Sequence, residues 1–272
     1  MATIDNGRTK PTERTVLITG ASSGIGKDLA TECAQHGHDL VLVARDLTKL
    51  EELRSSLTQT FPISVKCVSR DLAKPNAAQE LFTELTQSGT EIDVLINNAG
   101  HGLYGEFLET SLDKELHMIQ LNIVALTALT KLAIKPMVSR KRGRILNVAS
   151  TAAFQPGPLM AVYYASKAYV LYLSEALSTE LEGTGVTVTA LCPGPTETGF
   201  QAGASMEASK LVVGRQLMSS LEVAHTGYRA MMSGKAVCIP GFMNKVMAHS
   251  TRFLTRGAVR SAVRRAQERV PS

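Results

Sequence analysis

The sequence predicts a single doubly wound α/β domain, with a parallel sheet of about seven strands and helices on both faces. Short aliphatic and β-branched runs, such as "TVLITG" at residues 15–20, alternate with longer segments of helical periodicity. Strict alternation implies right-handed βαβ crossovers, which bury a parallel sheet between two helical layers. The chain has 272 residues, 44% of them hydrophobic, so it is long enough to bury such a core.

Each element follows from its local pattern. We expect strands at residues 15–20, 38–45, 64–71, 93–100, 143–150, 186–194 and 235–241. We expect helices at residues 24–36, 47–59, 76–88, 112–138, 161–182 and 219–232. The last helix opens at a capping-box spacing, from Ser219 to Glu222.

The pattern has no internal repeat and no low-complexity linker, which favours one domain over residues 14–243. Residues 1–13 are polar and predict a flexible tail. Residues 195–232 are expected to cover a substrate, and residues 244–272 to form a basic helical extension.

Composition excludes several kinds of site. The cysteines show no CxxC pair and no clustering with histidines, which argues against a zinc site or a disulfide framework. They suit a reducing cytosol, so we expect a cytoplasmic location. The N-terminal residues lack the apolar stretch of a signal peptide, and no uninterrupted apolar run approaches the ~20 residues of a membrane span.

The net charge of +5 is concentrated at the C-terminus. Residues 245–272 hold seven Lys or Arg and one Glu, a balance of +6, which leaves the first 244 residues at −1. Arginines recur every fourth residue from Arg252 to Arg264. One interpretation is a basic amphipathic helix that touches an anionic membrane surface or an acidic partner. The alternative is a helix docked on the body with a solvated arginine face.

A glycine-rich turn follows the first predicted strand. The run "TGASSGIG" places Gly20, Gly24 and Gly26 where the chain turns from strand to helix. Glycines there let backbone N–H groups approach a pyrophosphate, and the N-terminus of the next helix faces the negative charge. Because ligands bind at the carboxyl ends of the strands in open α/β sheets, we expect a dinucleotide at this edge.

The end of the second predicted strand bears on the choice between NADP and NAD. An acidic residue there binds the ribose 2′-hydroxyl, whereas a basic residue accommodates a 2′-phosphate. The chain has Arg45 at this point, followed by Asp46. Since arginine binds phosphate bidentately, Arg45 predicts NADP(H) in preference to NAD(H). The alternative is that Arg45 and Asp46 only end the strand and start the next helix.

Further motifs occur in order on successive strand ends and helices. They are "TGASSGIG" at 19–26, "RDL" at 70–72, "NNAG" at 97–100, Asn122, Ser150, "YYASK" at 163–167 and "PGPTET" at 193–198. In these motifs the sequence resembles the short-chain dehydrogenase/reductase family over roughly residues 14 to 240. The resemblance implies a Rossmann fold, a nicotinamide cofactor, oxidoreductase activity between CH–OH and C=O groups, and association into dimers or tetramers.

The resemblance also implies which residues hold the cofactor. Asp71 and Leu72 would border the adenine, and "PGPTET" would lie around the nicotinamide amide and the pyrophosphate. The cofactor-binding set is Gly20, Ser22, Ser23, Gly24, Ile25, Gly26, Arg45, Asp71, Leu72, Asn98, Ala99, Gly100, Tyr163, Lys167, Pro193, Gly194, Thr196 and Thr198.

The motif "YYASK" places two tyrosines ahead of a lysine. Residues four apart share a helix face, so Tyr163 lies with Lys167, whereas Tyr164 points elsewhere and is expected to pack. An ammonium beside a phenol favours the phenolate and lowers the pKa of the tyrosine. The family resemblance, with Ser150 thirteen residues before Tyr163, implies that Tyr163 is the acid/base.

The resemblance implies a mechanism with four catalytic residues. The Tyr163 hydroxyl would give its proton to the carbonyl oxygen, to which Ser150 would hydrogen-bond. Lys167 would lower the pKa of Tyr163 and bind the nicotinamide ribose, and Asn122 would hold a water that resupplies the proton. Oxidation of an alcohol uses the same groups in reverse, and no metal is predicted.

The substrate side carries weaker signals. His101, directly after "NNAG", is a candidate to face the substrate, and a polar loop residue is the alternative. An apolar wall beside the nicotinamide would favour a substrate with a hydrophobic body. The candidates for this wall, with core packing as the alternative, are Phe154, Met160, Met206, Leu211 and Val212.

Three functions stay open. The first is an NADPH-dependent reductase of ketones, or dehydrogenase of secondary alcohols, with a hydrophobic body. The second is a 3-oxoacyl thioester reductase, whose acidic carrier protein would suit the basic tail. The third is a non-catalytic NADP(H)-binding regulator on the same fold. The proton-transfer residues favour an enzyme, because a pure sensor has no need for them.

Overall fold

The computed structural model describes residues 15–204, 206, 209–210 and 217–268. Its strands are β1 (Thr15–Thr19), β2 (Asp39–Ala44), β3 (Val65–Ser69), β4 (Val94–Asn97), β5 (Gly143–Val148), β6 (Val186–Leu191), β7 (Thr196–Glu197), β8 (Met218–Ser219) and β9 (Val237–Cys238). Its α-helices are α1 (Gly24–Gln35), α2 (Leu47–Thr60), α3 (Ala77–Gln87), α4 (Leu112–Ile119), α5 (Leu126–Ser139), α6 (Ala161–Glu180), α7 (Phe200–Gly203), α8 (Ser220–Met232), α9 (Phe242–Ser250) and α10 (Arg256–Gln267).

Seven of these strands form one parallel sheet in the order β3-β2-β1-β4-β5-β6-β9. The predicted doubly wound Rossmann fold is therefore confirmed. The order reverses between β1 and β4, so a crevice opens where these two strands end. This switch point is the expected place for a dinucleotide.

The core lies on both faces of the sheet. On one face, residues of α1, α2 and α8 such as Leu29, Leu50 and Val223 pack against β1, β2 and β4. On the other face, residues of α3 and α5 such as Leu81 and Leu129 pack against the same strands. The aliphatic strand residues are thus buried on both sides, as the short apolar runs of the sequence predict.

The helix predicted at residues 112–138 is interrupted. A π-helical turn, Gln120–Ala125, separates α4 from α5. By length and composition alone, the stretch Leu112–Ser139 is apolar enough to cross a membrane. Its inner residues, including Leu129 and Met137, are nonetheless buried against the sheet, as in the core helix of a folded domain.

The segment after residue 194 contains three short elements that the sequence pattern does not predict, namely β7, α7 and β8. Strands β7 and β8 pair in parallel as a separate two-stranded sheet. Helix α9 begins at Phe242, directly after the last strand of the main sheet. The two wall candidates Leu211 and Val212, like the N-terminal tail, lie outside the described residues.

The basic C-terminal extension docks on the body. Val259 and Val263, on the inner face of α10, are buried in an apolar cluster with residues of α6. The Tyr104 hydroxyl donates a hydrogen bond to the Gln267 carbonyl, and Arg264 forms an ion pair of 2.8 Å with Glu106. The structure therefore bears out the docked helix with exposed arginines.

Candidate active site

The crevice at the switch point is held together by Thr19, the last residue of β1. Its hydroxyl oxygen accepts hydrogen bonds from the backbone N–H groups of Asn98 and Ala99, both at 3.0 Å. The Asn98 side-chain amide in turn donates to the carbonyl oxygens of Thr19 and Gly20. The "NNAG" segment after β4 is thereby fixed against the glycine-rich turn after β1.

The glycines of the turn leave room that no other residue would leave. Gly20 and Gly24 have positive φ angles of 65° and 51°. A Cβ atom on Gly26 would lie 2.3 Å from the Gly20 carbonyl oxygen, and one on Gly20 would lie 2.8 Å from the Asn98 amide nitrogen. A bare backbone at this point fits the close approach of a pyrophosphate.

The other candidate residues of this turn have different surroundings. Ser23 is the N-cap of α1, and its side chain makes no capping hydrogen bond in the described part of the chain. Ser22 lies beside it, and Ile25 packs against the core. Thr198 faces the turn from the other side, since a Cβ on Gly24 would lie 3.0 Å from its methyl group.

Arg45 follows β2 and is exposed at the rim of the crevice. Its backbone carbonyl accepts a hydrogen bond from the Ser69 hydroxyl. Asp46, in contrast, is the N-cap of α2 and accepts a hydrogen bond from the Lys49 backbone at 3.1 Å. Among the described residues no carboxylate pairs with the Arg45 guanidinium, which leaves it available to a phosphate.

The adenine-side and nicotinamide-side candidates both flank the crevice. Leu72 is buried after β3, and the carboxylate of the adjacent Asp71 accepts from the Ala73 backbone. The Pro193 carbonyl accepts from the Thr151 backbone. The Thr196 hydroxyl donates to the Gly194 carbonyl at 2.9 Å, which fixes the turn that leads into β7.

Tyr163 and Lys167 lie on one face of α6, as their spacing predicts. The Lys167 ammonium is 5.8 Å from the centre of the Tyr163 ring and donates to the Val148 carbonyl at 2.8 Å. Burial raises the pKa of the Tyr163 phenol to about 12, and the Ser150 side chain opposes that rise. Burial also lowers the pKa of Lys167 to about 8. The expected lowering of the Tyr163 pKa by Lys167 is not borne out, because desolvation dominates.

Asn122 occupies the π-helical turn and is almost fully buried. Its side-chain oxygen accepts from the His101 backbone N–H at 3.1 Å, and its amide donates to the His101 carbonyl at 3.0 Å. The same amide donates to the Ser166 hydroxyl, which donates to the Tyr163 carbonyl. Asn122 thus joins "NNAG" to the helix that carries Tyr163, and both polar atoms of its side chain form hydrogen bonds in that link.

Ser150 follows β5 and is the N-cap of the 3₁₀-helix Thr151–Phe154. Its hydroxyl accepts from the Ala152 backbone at 3.1 Å and lies 3.4 Å from the Pro193 carbonyl. Ser150 therefore stands between the "PGPTET" segment and Tyr163, whose pKa it affects. The structure brings together all four residues that the sequence predicts for proton transfer.

The other face of Tyr163 borders an apolar cluster. Its ring centre is 5.3 Å from that of Phe200 in α7. Met160 and Met206 belong to this cluster, as the wall prediction requires, whereas Phe154 packs in a neighbouring cluster with Ala248. The described members of the Tyr163 cluster are Tyr104, Met118, Ala152, Met160, Tyr163, Tyr164, Ala204, Met206, Val259 and Val263.

His101 lies next to Asn122 and forms a pair with His117 of α4. The two imidazoles are joined by a hydrogen bond of 2.9 Å between Nε2 of His101 and Nδ1 of His117. Burial, opposed by the Gly102 carbonyl, lowers the pKa of His101. The side chain of His101 is thus directed at His117, and its role in facing the substrate stays a prediction.

The chain matches the family model of the short chain dehydrogenases over residues 14–209. The match covers well over half of the sequence and contains every motif of the crevice. The chain belongs to the short-chain dehydrogenase/reductase family.

Two groups of curated members of the family resemble this chain. 17-beta-hydroxysteroid dehydrogenase type 3 of Mus musculus is 38% identical over 180 residues, which are 65% of this chain and 58% of that protein. Very-long-chain 3-oxoacyl-CoA reductase of Homo sapiens is 35% identical over 181 residues, 65% of this chain and 57% of that protein. The chain thus spans little more than half the length of these curated relatives.

Solved structures of family members cover the chain more fully. A short-chain dehydrogenase from Sphingobium yanoikuyae in complex with NADPH is 33% identical, with a TM-score of 0.80 over 94% of this chain and 98% of that one. The bulky-bulky ketone specific alcohol dehydrogenase from Comamonas testosteroni is 30% identical, with a TM-score of 0.77 over 96% and 98% of the two chains.

Sequence reasoning missed several residues of this short-chain dehydrogenase/reductase site. Thr19 is the first residue of the glycine motif, and its position at the end of the first strand is the sequence signal that points to it. Ser166, inside "YYASK", links Tyr163 to Asn122. Val259 and Val263 carry no motif, and only the i, i+4 spacing of apolar residues in a basic helix points to a buried stripe.

Proposed function

We propose that this protein is an NADP(H)-dependent oxidoreductase that transfers hydride reversibly between the cofactor and a ketone or secondary alcohol with a hydrophobic body. The observation that carries the proposal is the setting of Tyr163. Its phenol lies between a buried ammonium on one side and an apolar cluster on the other. A proton donor at the meeting point of a polar crevice and an apolar wall suits an uncharged carbonyl compound.

The residues of the crevice fit a nicotinamide dinucleotide. The glycine turn would receive the pyrophosphate, Asp71 and Leu72 would border the adenine, and Lys167 would bind the nicotinamide ribose. Arg45 would pair with a 2′-phosphate, which is our reason for preferring NADP(H). The bound nicotinamide supplies the hydride, and the protein supplies the proton and the orientation.

The side chains divide the proton chemistry among them. Tyr163 donates its hydroxyl proton to the carbonyl oxygen, and a pKa of about 12 keeps that proton in place at neutral pH. The Ser150 hydroxyl hydrogen-bonds the same oxygen and stabilises the negative charge that develops on it. Lys167 provides a positive charge beside the phenol as it loses its proton. Asn122 holds "NNAG" and α6 in register, and its backbone at the π-turn is the proposed site of the resupplying water.

A 3-oxoacyl thioester reductase is the second candidate. It is favoured by the resemblance to the very-long-chain 3-oxoacyl-CoA reductases and by the Met-rich wall near Tyr163. The resemblance to 17-beta-hydroxysteroid dehydrogenases favours a rigid ring ketone instead. A non-catalytic regulator is disfavoured, because such a protein has no use for Tyr163 and Ser150.

A substrate screen tests the proposal. Purified protein is mixed with NADPH and one of three carbonyls: a ketosteroid, a long-chain 3-oxoacyl thioester or a small polar ketone. We expect oxidation of NADPH with at least one hydrophobic carbonyl, slow turnover of the polar ketone, and loss of turnover in Tyr163→Phe. A protein that binds NADPH but oxidises it with none of the three would favour the regulator.

We also propose that the protein self-associates through the outer faces of α4, α5 and α6. The exposed apolar side chains on these helices and on the π-helical turn between α4 and α5 include Leu112, Leu116, Val124 and Tyr172, which association would cover. Light scattering at micromolar concentration is expected to give a dimer or tetramer of the 29.2 kDa chain. Particles of monomer mass alone would contradict this.

A further inference from the structure

An exposed apolar ridge runs along α9 and the turn that follows it. Phe253 in the turn is 88% exposed, and Phe242 at the start of α9 is 79% exposed. The exposed apolar residues of this region are Phe242, Met243, Val246, Met247, Phe253 and Leu254. Four of them recur at i, i+1, i+4 and i+5 and so share one face of α9, whereas Ala248 on its inner face is buried.

The same region is uniformly basic. Residues 241–267 contain no Asp or Glu, and the exposed cations near the ridge are Lys245, Arg252, Arg256 and Arg260. Arg264 is different, because it is engaged by Glu106 of the body. We call the ridge and these four cations the C-terminal surface.

We propose that the C-terminal surface docks on a lipid bilayer that carries acidic headgroups. Protruding Phe and Leu side chains flanked by Arg and Lys match the boundary between acyl chains and headgroups, where apolar groups insert and cations meet phosphate and carboxylate. A second copy of the chain fits less well. A two-fold interface would place this positive surface against itself, and like charges would then repel.

The surface is connected to the site. Helix α10 bears the exposed arginines on its outer side, while Val259 and Val263 on its inner side pack in the cluster that borders Tyr163. Helix α9 packs on the 3₁₀-helix that follows Ser150, and Asn244 lies against Gly194. If the proposed function holds, docking places these two helices, and the active site that they pack against, at the bilayer surface.

Vesicle cosedimentation of the full chain tests docking without any substrate. We expect the protein to pellet with vesicles of phosphatidylcholine and phosphatidylserine, to pellet far less with phosphatidylcholine alone, and to be released by high salt. The double variant Phe242→Ser/Phe253→Ser is expected to lower the partition coefficient about tenfold or more. Charge reversal in Arg252→Glu/Arg256→Glu is expected to abolish the preference for phosphatidylserine.

Matched variants elsewhere on the protein serve as controls. Leu47→Ser removes an exposed apolar side chain, and Lys49→Glu/Arg54→Glu reverses exposed charges, in both cases on α2, away from the C-terminal surface and from the proposed self-association faces. Both controls should pellet with acidic vesicles like the wild type. Light scattering of every variant reports changes in self-association, and circular dichroism reports folding.

Three outcomes would overturn the proposal. The wild type fails to bind acidic vesicles, the controls lose binding as much as the ridge variants, or the ridge variants bind normally but dissociate an oligomer. The last would assign the surface to a second copy. Because the assay uses no carbonyl and no cofactor, it tests docking independently of the proposed reaction.

Discussion

The two sides of the crevice are built differently. The cofactor side consists of backbone and short polar side chains, in which Thr19, Asn98 and Gly26 fit against one another within hydrogen-bond or contact distance. The substrate side consists of larger side chains from distant parts of the chain, such as Met160 and Val263. Backbone cannot move aside for an added group, whereas Met and Val repack. Activity should therefore depend steeply on the first side and gradually on the second.

The largest effect is expected where the two sides meet. Tyr163→Phe removes one hydroxyl, keeps the ring in its cluster, and should lower kcat by about 10²- to 10⁴-fold while NADPH still binds. Tyr164→Phe is the matched control, since that ring is also buried but lies one position along α6 from the face that Tyr163 shares with Lys167. Steady-state kinetics and NADPH fluorescence titration measure the two effects. Were Tyr164→Phe the inactive variant, the assignment of the acid/base would be wrong.

On the cofactor side, Arg45→Ala is expected to raise the KM for NADPH roughly ten- to a hundredfold, because one charge-assisted contact contributes about 1.5 to 3 kcal/mol. The KM for NADH should change little. The matched control is Lys49→Ala, an exposed cation that already pairs with Asp46. An equal loss for both cofactors in Arg45→Ala would remove its role at the 2′-phosphate.

Lys167 connects the site to stability. Its folded-state pKa of about 8 lies below the ordinary value of 10.5, so between these values the unfolded chain binds more protons than the folded one. Burial of the Lys167 charge lowers the free energy of unfolding by its largest amount below pH 8, and this loss shrinks as the pH rises towards 10.5. Lys167→Met should therefore stabilise the cofactor-free protein at neutral pH, by an amount on the order of 1 to 3 kcal/mol that shrinks towards pH 10.

Urea unfolding of the wild type and of Lys167→Met across this pH range measures that difference. Taking the difference removes the contribution of the buried thiols of Cys33 and Cys192, whose pKa values are raised by burial and which act in the opposite direction. A difference that grows with pH would show that the Lys167 ammonium is not destabilised by burial.

The smallest effects are expected on the substrate side. Val263→Ala leaves a small gap in the apolar cluster and should raise the KM for a hydrophobic carbonyl a few-fold, with kcat nearly unchanged. Arg264→Ala breaks an exposed ion pair with Glu106 that solvent screens, so its effect should be smaller still. If Val263→Ala lowered kcat as strongly as Tyr163→Phe, the substrate side would be as rigid as the cofactor side.

The same contrast explains what the sequence could predict. Strands such as "TVLITG" are buried on both faces, so their composition alone identifies them, and the sheet follows from their alternation with helices. Gly20, Tyr163 and Lys167 belong to short motifs that can be recognised from the sequence without knowing their distant contacts. The π-turn at Asn122 was not predicted, because the periodicity of apolar residues along a helix does not reveal the one extra residue that a π-turn contains. Nor was the place of Val263, whose partners lie about a hundred residues away.

The hydrogen bond from Tyr104 to Gln267 spans 163 residues of sequence. On the ribosome, residues of the cofactor side emerge and can pair while the C-terminal helix has yet to be translated. The apolar wall around Tyr163 then stays uncovered until α10 has been translated. For that interval the nascent chain exposes the Met and Phe side chains of this wall, so we expect deletion of α10 to be more damaging to folding than its distance along the chain from the glycine turn suggests.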